Sequence, residues 1–278
     1  MKIARYLAEG RERIGASTGG DFFLLGTDIS TVVAALAPES RAAIGKAVAS
    51  GSLMPAAGAQ LLVPFDASAR IFCIGVNYRS HVTETHREVE PQPSVFIRTQ
   101  ASVVPHGAGM VRPSSSDNFD YEGELTVVIG RRGRLISQAD AMSHVAGYTC
   151  FNDGSVRDYQ KHSTTSGKNF EASGACGPWI VTSDELPDPT ALTLVTRLNG
   201  QEVQRSTTDL LIHSIPRIIE YISTITSLEP GDIIATGTPA GVGSRRTPPL
   251  WMKPGDTIEV DISSIGKLTN PIVQYASL

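Results

Sequence analysis

Glu122 and Glu124 stand two residues apart in the segment Asp120-Tyr121-Glu122-Gly123-Glu124-Leu125, and Asn152-Asp153 follows a second apolar stretch. Residues two apart on a strand point to the same side. As a strand, this segment turns Leu125, Val127 and Ile129 one way and Glu122, Glu124 and Thr126 the other. Adjacent carboxylates repel each other unless a positive charge lies between them. A hard divalent cation, Mg²⁺ or Mn²⁺, meets that need because both prefer carboxylate oxygens, and Asp153 can supply a third oxygen. The competing reading is the solvated polar face of an edge strand.

Other segments carry groups that can act on a substrate. His81 and Glu84 share a face if residues 81–84 are helical. A carboxylate beside an imidazole orients the ring and raises its basicity, which suits activation of a water. The alternative is an exposed charged loop, since His86, Arg87, Glu88 and Glu90 follow. Arg157, in the polar run from Asn152 to Gln160, can hold a substrate carboxylate in a forked pair, or can pair with Asp158 or Glu171. Gly167-Lys168-Asn169-Phe170 lacks the spacing of a phosphate loop, so Lys168 reads as a single cation near an oxyanion or as a surface lysine. The run from Ala235 to Gly243 is glycine-rich, which lets backbone approach a ligand closely. Thr236 or Thr238 can donate a hydrogen bond from it.

These residues need a scaffold. The chain has 278 residues, 41% hydrophobic and 19% charged, with a net charge of −4. That is ordinary for a globular protein and carries no clustered Lys/Arg footprint for nucleic acid. The pairs Arg131-Arg132 and Arg245-Arg246 sit beside glycines, as in exposed turns. Cys73, Cys150 and Cys176 have neither disulfide-framework nor zinc-motif spacing and read as buried thiols. The N-terminus lacks the apolar core of a secretion signal, and no apolar run approaches about twenty residues. The expectation is a cytoplasmic protein without a membrane span.

Residues 1–65 are expected to form a small α/β subdomain, with a helix capped by Ser40 and stopped by Gly51. Residues 66–278 are expected to form the main domain. Ile71–Gly75 and Leu125–Ile129 read as buried strands. Thr193–Leu198, Asn199-Gly200 and Glu202–Gln204 read as a hairpin with a type I′ turn. Ser214 can cap a helix whose Ile215, Ile218, Ile219 and Ile222 form one apolar face, with Pro216 in its first turn. Pro-Gly-Asp turns at 230–232 and 254–256 each introduce a strand, and Thr257–Ile262 alternates as a half-buried strand does. There is no regular βαβ alternation, which excludes a doubly wound sheet. The fold class is α+β, rich in strand.

Taken together and in this order, the segments resemble the fumarylacetoacetate hydrolase family. The resemblance runs from about Ile71 to Val273. It rests on Gly75-Val76-Asn77-Tyr78 with His81, Asp120–Leu125, Asn152-Asp153 with Arg157-Asp158 and Gln160, and Gly167–Phe170. Gly177-Pro178-Trp179, Pro230-Gly231-Asp232, Thr236–Pro239 and Gly241-Val242-Gly243 complete it. The resemblance implies a mixed β-roll, usually a homodimer, with one Mg²⁺ or Mn²⁺ held by Glu122, Glu124 and Asp153. It implies that His81 and Glu84 activate water from a lid, and that Lys168, Gln160 and Thr238 border the reacting oxygens, with Arg157 and Tyr78 nearby. Cys176, Gly154 and Val156 depart from many relatives, which bears on the substrate pocket rather than on the metal ligands. The implied activity is hydrolysis of a carbon–carbon bond in a β-diketo acid, an acylpyruvate such as maleylpyruvate or fumarylpyruvate, as in aromatic catabolism. Oxaloacetate decarboxylation or isomerisation of a hydroxymuconate-type acid are the alternatives on the same site.

Overall fold

The structure, a computed structural model, describes residues 1–85 and 88–274. His86 and Arg87 of the charged run lie outside the described residues, while Glu88 and Glu90 are exposed. A twelve-stranded mixed sheet forms the body, and a five-stranded sheet packs beside it. Along the large sheet, strand Gly174–Thr182 neighbours Val145–Asn152, then Gly123–Ile129, Ile233–Ala235, Ile71–Ile74 and Val95–Arg98.

Alternation along these strands builds two cores, one on each face. Leu125, Val127 and Ile129 join Tyr148, Cys150 and Ile234 on one face. That core is closed by the helix Ile215–Ile225 and by the five-stranded sheet, through residues such as Leu194, Val260 and Leu268. Val128, Ala146, Ile180 and Ala235 face the other way, against Val32, Leu36, Ile44 and Val48 of the two N-terminal helices. The strand Gly123–Ile129 is buried along its whole length, so the polar face of Glu124 and Thr126 is interior and not the wet side of an edge strand. The three cysteines are buried and free.

The N-terminal strand Lys2–Ala8 pairs with Gly174–Thr182 through Lys2↔Val181 and Ile3↔Ile180. The helix expected to be capped by Ser40 instead spans Pro38–Ala49, with Pro38 at its first position and Ser40 inside its first turn. Proline takes that position readily because its missing N–H is unsatisfied there anyway. The hairpin Thr193–Leu198 to Gln201–Thr207 closes through Asn199 (φ 53°) and Gly200 (φ 78°), both left-handed as a type I′ turn requires. Ser214 accepts a hydrogen bond from the Arg217 amide and caps Ile215–Ile225.

Topology then decides where chemistry can occur. Strands Ile71–Ile74 and Ile233–Ala235 run parallel to each other and antiparallel to Gly123–Ile129, which is antiparallel to Val145–Asn152. Two strands therefore end, one begins and a third ends at the same rim of the sheet. The segments at that rim are Gly75–Thr85, Thr236–Gly243, Asp120–Glu122 and Asp153–Lys168, which hold the candidate site residues.

Candidate active site

Glu122 precedes its strand, Glu124 lies within it, and Asp153 follows the neighbouring strand. The ladder fixes their separation: Gly123 pairs with Asn152, and the Asp153 amide donates to the Glu122 carbonyl at 2.8 Å. Carboxylate oxygens of all three lie within 4.8 Å of one another, and all three residues are buried. Three hard oxygen donors suit Mg²⁺ or Mn²⁺.

Bare carboxylates at this depth need counter-charges. Arg98, 1% exposed, donates to Asp153 Oδ1 at 2.6 Å and to the Gly154 carbonyl, the Ser102 hydroxyl and carbonyl, and Ser173 Oγ. Lys168 Nζ donates to Glu122 Oε2 at 2.7 Å, and to Asp153 Oδ2 at 2.5 Å and its carbonyl at 3.0 Å. Arg157 pairs with Asp120 through Nε and with Glu122 through Nη2, each at 2.7 Å. Burial alone would raise the Glu122 pKa, but Lys168, then Arg157 and His81, outweigh it and hold the carboxyl at about 2.

Glu124 is different. Among the described residues it has no cationic partner, and its carboxylate accepts only the Gly237 N–H, at 2.8 Å. Burial first, then Asp153 and Glu122, push its pKa well above the ordinary carboxylate range. A buried acid facing two others, with one amide to satisfy it, is what a divalent cation between the three would relieve, so the donor set fits such an ion. Gly237 lets the amide come this close. Its φ is +101°, and a Cβ there would lie 2.7 Å from the Asn77 Cβ and 3.0 Å from the Ile74 carbonyl oxygen.

His81 and Glu84 lie on the short helix Arg79–Thr85. His81 Nδ1 and Glu84 Oε2 are 2.9 Å apart, and Glu84 Oε1 accepts the Gly241 N–H at 2.9 Å. Nδ1 is thereby engaged, and Nε2 is the ring nitrogen left for other partners. His81 lines a cleft of about 760 Å³ together with Glu122, Arg157, Gln160, Lys168 and Thr238. Thr238, and not Thr236, faces this cleft: the Thr236 hydroxyl turns back to the Leu125 carbonyl at 2.9 Å. Thr238 Oγ1 donates to the Gly123 carbonyl and accepts from Gln204 Nε2. Gln160 accepts from Arg157 Nη1 at 2.9 Å through Oε1, and among the described residues its amide nitrogen has no partner.

The sequence-based expectations need three adjustments. Arg157, expected to grip a substrate carboxylate or to pair with Asp158 or Glu171, is held by Asp120 and Glu122, which lie closer once the strands pair. Lys168, expected beside the reacting oxygens, has three carboxylate and carbonyl oxygens as acceptors, so its ammonium is spent on the acids. Tyr78, expected to touch substrate, is fully buried and is not among the residues that line the cleft, and its hydroxyl has no partner among the described residues.

Sequence reasoning also missed supporting residues. Asp120 accepts the amides of Tyr121, Gly243 and Ser244 as well as Arg157 Nε, tying two rim loops together. Gln204 accepts the Gly123 amide and donates to Thr238. Arg98 carried one faint signal, a lone charge closing the apolar run Val95-Phe96-Ile97. Arg98→Met is expected to destabilise the protein by about 3–5 kcal/mol, because it strips a partner from a buried acid. Arg132→Met, which removes an exposed pair with Glu229, is expected to change stability by under about 1 kcal/mol. Urea unfolding of both variants checks this, and equal losses would contradict it.

A family model described as the fumarylacetoacetate hydrolase C-terminal region matches residues 70–273. A bovine mitochondrial protein described as an oxaloacetate tautomerase is 36% identical over 225 residues, covering 80% of this chain and 72% of its own. The crystal structure of a 5-carboxymethyl-2-hydroxymuconate delta-isomerase from Mycobacterium smegmatis superposes with a TM-score of 0.80 at 31% identity, covering 100% of both chains. That of a maleylpyruvate hydrolase from Sphingobium sp. SYK-6, in complex with manganese(II) and pyruvate, superposes at 0.81 with 27% identity and 99% coverage of each chain. Among the described residues no helix is long and apolar enough to cross a membrane.

Proposed function

Since the chain belongs to the fumarylacetoacetate hydrolase family, we propose that it is a metal-dependent hydrolase of acylpyruvates, such as maleylpyruvate or fumarylpyruvate, releasing pyruvate. The observation that carries this reading is the pairing of His81 with Glu84 at the wall of the cleft that also holds Glu122 and Lys168. Proton transfer alone needs one base, whereas an oriented imidazole beside an open cleft has room for a water.

Glu122, Glu124 and Asp153 would hold the cation, Mg²⁺ or Mn²⁺, whose contribution when bound is Lewis acidity at the 2-oxo acid end of the substrate. Arg98, Lys168 and Arg157 fix Asp153 and Glu122 in place before substrate arrives, and the Gly237 N–H holds Glu124, which is how preorganised charge assists catalysis. With Glu84 accepting the Nδ1–H of His81, Nε2 would be the basic nitrogen at the cleft wall. His81 then takes a proton from a water at Nε2 as the water oxygen adds to the distal carbonyl. The Gln160 amide nitrogen, on the same cleft wall, would donate to the oxygen that gains charge. The carbon–carbon bond breaks with its electron pair left on the methylene carbon of pyruvate, and the imidazolium proton returns to that carbon.

A second reading is favoured by the bovine relative described as an oxaloacetate tautomerase. There His81 would move a proton between carbon and oxygen with no water consumed, and isomerisation or decarboxylation would use the same groups. Turnover of maleylpyruvate, fumarylpyruvate, acetylpyruvate and oxaloacetate separates these chemistries. Hydrolysis predicts loss of the diketo-enol absorbance with one pyruvate released per substrate. It also predicts ¹⁸O from labelled water in the acid product, and silence after EDTA treatment until Mn²⁺ or Mg²⁺ is restored. Keto–enol interconversion of oxaloacetate with no pyruvate from any acylpyruvate would replace the hydrolase reading with the tautomerase one.

A further inference from the structure

Lys168 and Arg157, which line the cleft, are committed to Glu122 and Asp153 and to Asp120 and Glu122 respectively, and Arg98, buried outside the lining, is committed to Asp153. Two further cations line the same cleft. Lys161 follows the short helix Arg157–Gln160, and Arg245 ends the short turn Gly243–Arg245. Both are exposed, and neither has a carboxylate partner among the described residues. Among the described residues the cleft lining holds two carboxylates, Glu122, which pairs with Lys168 and Arg157, and Asp158, which accepts from the Ser116 hydroxyl at 2.6 Å. The adjacent Arg246 shows the contrast. Its guanidinium bonds the Tyr121 hydroxyl and the carbonyls of Gly241 and Val203, so it braces the loop.

We propose that Arg245 and Lys161 form a subsite for a second anionic group of the substrate, at the end away from the acid triad. This rests on the acylpyruvate reading and narrows it to diacids. A 2-oxo acid whose first carboxylate lies toward Glu122, Glu124 and Asp153 extends its acyl chain along the cleft to the mouth. A carboxylate on that chain meets two unpaired cations, whereas an uncharged chain leaves them to water. Charges so placed act on capture and on choice between substrates more than on the chemical step, and they weaken as salt is added.

The test compares kcat/KM for maleylpyruvate and fumarylpyruvate, which are diacids, with acetylpyruvate, a monoacid. It uses the Mn²⁺-loaded protein and its Arg245→Gln, Lys161→Gln and doubly substituted forms. Binding of the unreactive pair 2-oxoglutarate and 2-oxobutyrate is followed in parallel. The readout is the fluorescence of Trp251, which lines the cleft, with Trp251→Phe as the blank. The diacid preference is expected to fall about tenfold in the double variant and to shrink in 0.5 M salt, while monoacid values stay unchanged. An unchanged diacid-to-monoacid ratio, or equal losses for both, would overturn the subsite. The two proposals fail separately. A binding preference that depends on Arg245 without turnover of any acylpyruvate keeps the subsite and removes the hydrolase reading. Turnover with an unaltered ratio does the reverse.

Discussion

His81→Ala is expected to lower kcat by about 10²–10⁴-fold, the range for loss of a positioned general base, while Mn²⁺ affinity is unchanged. The separation follows from the geometry. The imidazole is paired with Glu84 and makes no hydrogen bond to Glu122, Glu124 or Asp153, so its removal leaves the three acids and their counter-ions in place. Glu84→Gln should fall between the wild type and His81→Ala, because an amide oxygen still accepts from Nδ1 but carries no charge to stabilise an imidazolium. Calorimetric titration of Mn²⁺ and steady-state rates on the same samples are sufficient. Full turnover in His81→Ala would remove the proposed base, and a parallel loss of Mn²⁺ binding would mean that the ring supports the acids.

Glu124→Gln is expected to abolish metal-dependent turnover and, in the metal-free protein, to raise thermal stability at neutral pH. The sign follows from the raised folded-state pKa of Glu124, caused by burial and by Asp153 and Glu122. Above its ordinary range the unfolded carboxyl is ionised while the folded one retains its proton, so the folded state binds more protons. That contribution is fully present below the unfolded pKa and is lost as pH rises through the higher folded pKa. Metal-free wild type should therefore lose stability across that interval, and Glu124→Gln should lack this part of the slope. Mn²⁺ at about 100 times its Kd should restore about 2.7 kcal/mol to the wild type and little to the variant. Equal Mn²⁺ stabilisation of both would show that Glu124 is not a ligand.

Much of this arrangement was legible from residue spacing. The alternation through Leu125, Val127 and Ile129 matched the strand Gly123–Ile129 and its core face, and Asn199-Gly200 marked its turn. The order of the motifs identified the family before any contact was visible. The partners of the charges were not legible, because they depend on which strands become neighbours. Arg157 lies next to Asp158 in the chain but reaches Asp120, 37 residues away. Arg98 stands 55 residues before Asp153 and has no spacing that ties it there. Tyr78 belongs to a shared motif, yet the fold buries it outside the cleft lining. The helix boundary at Pro38 was missed for a local reason: Ser40 has the chemistry of a cap, but Pro38 fits the first turn.

The acid triad and the cleft mouth are built on different materials. Glu122, Glu124 and Asp153 are held by two adjacent strands in fixed register, whereas Lys161 and Arg245 sit on rim segments that carry none of the sheet's ladder. A substitution in the ladder disturbs every ligand at once, and a substitution at the mouth disturbs none. The fold thus separates the part that must be kept from the part that is free to vary. Loop exchange at 161 and 245 is accordingly a route by which one chemistry can be re-aimed at new acids, in a lineage or at the bench.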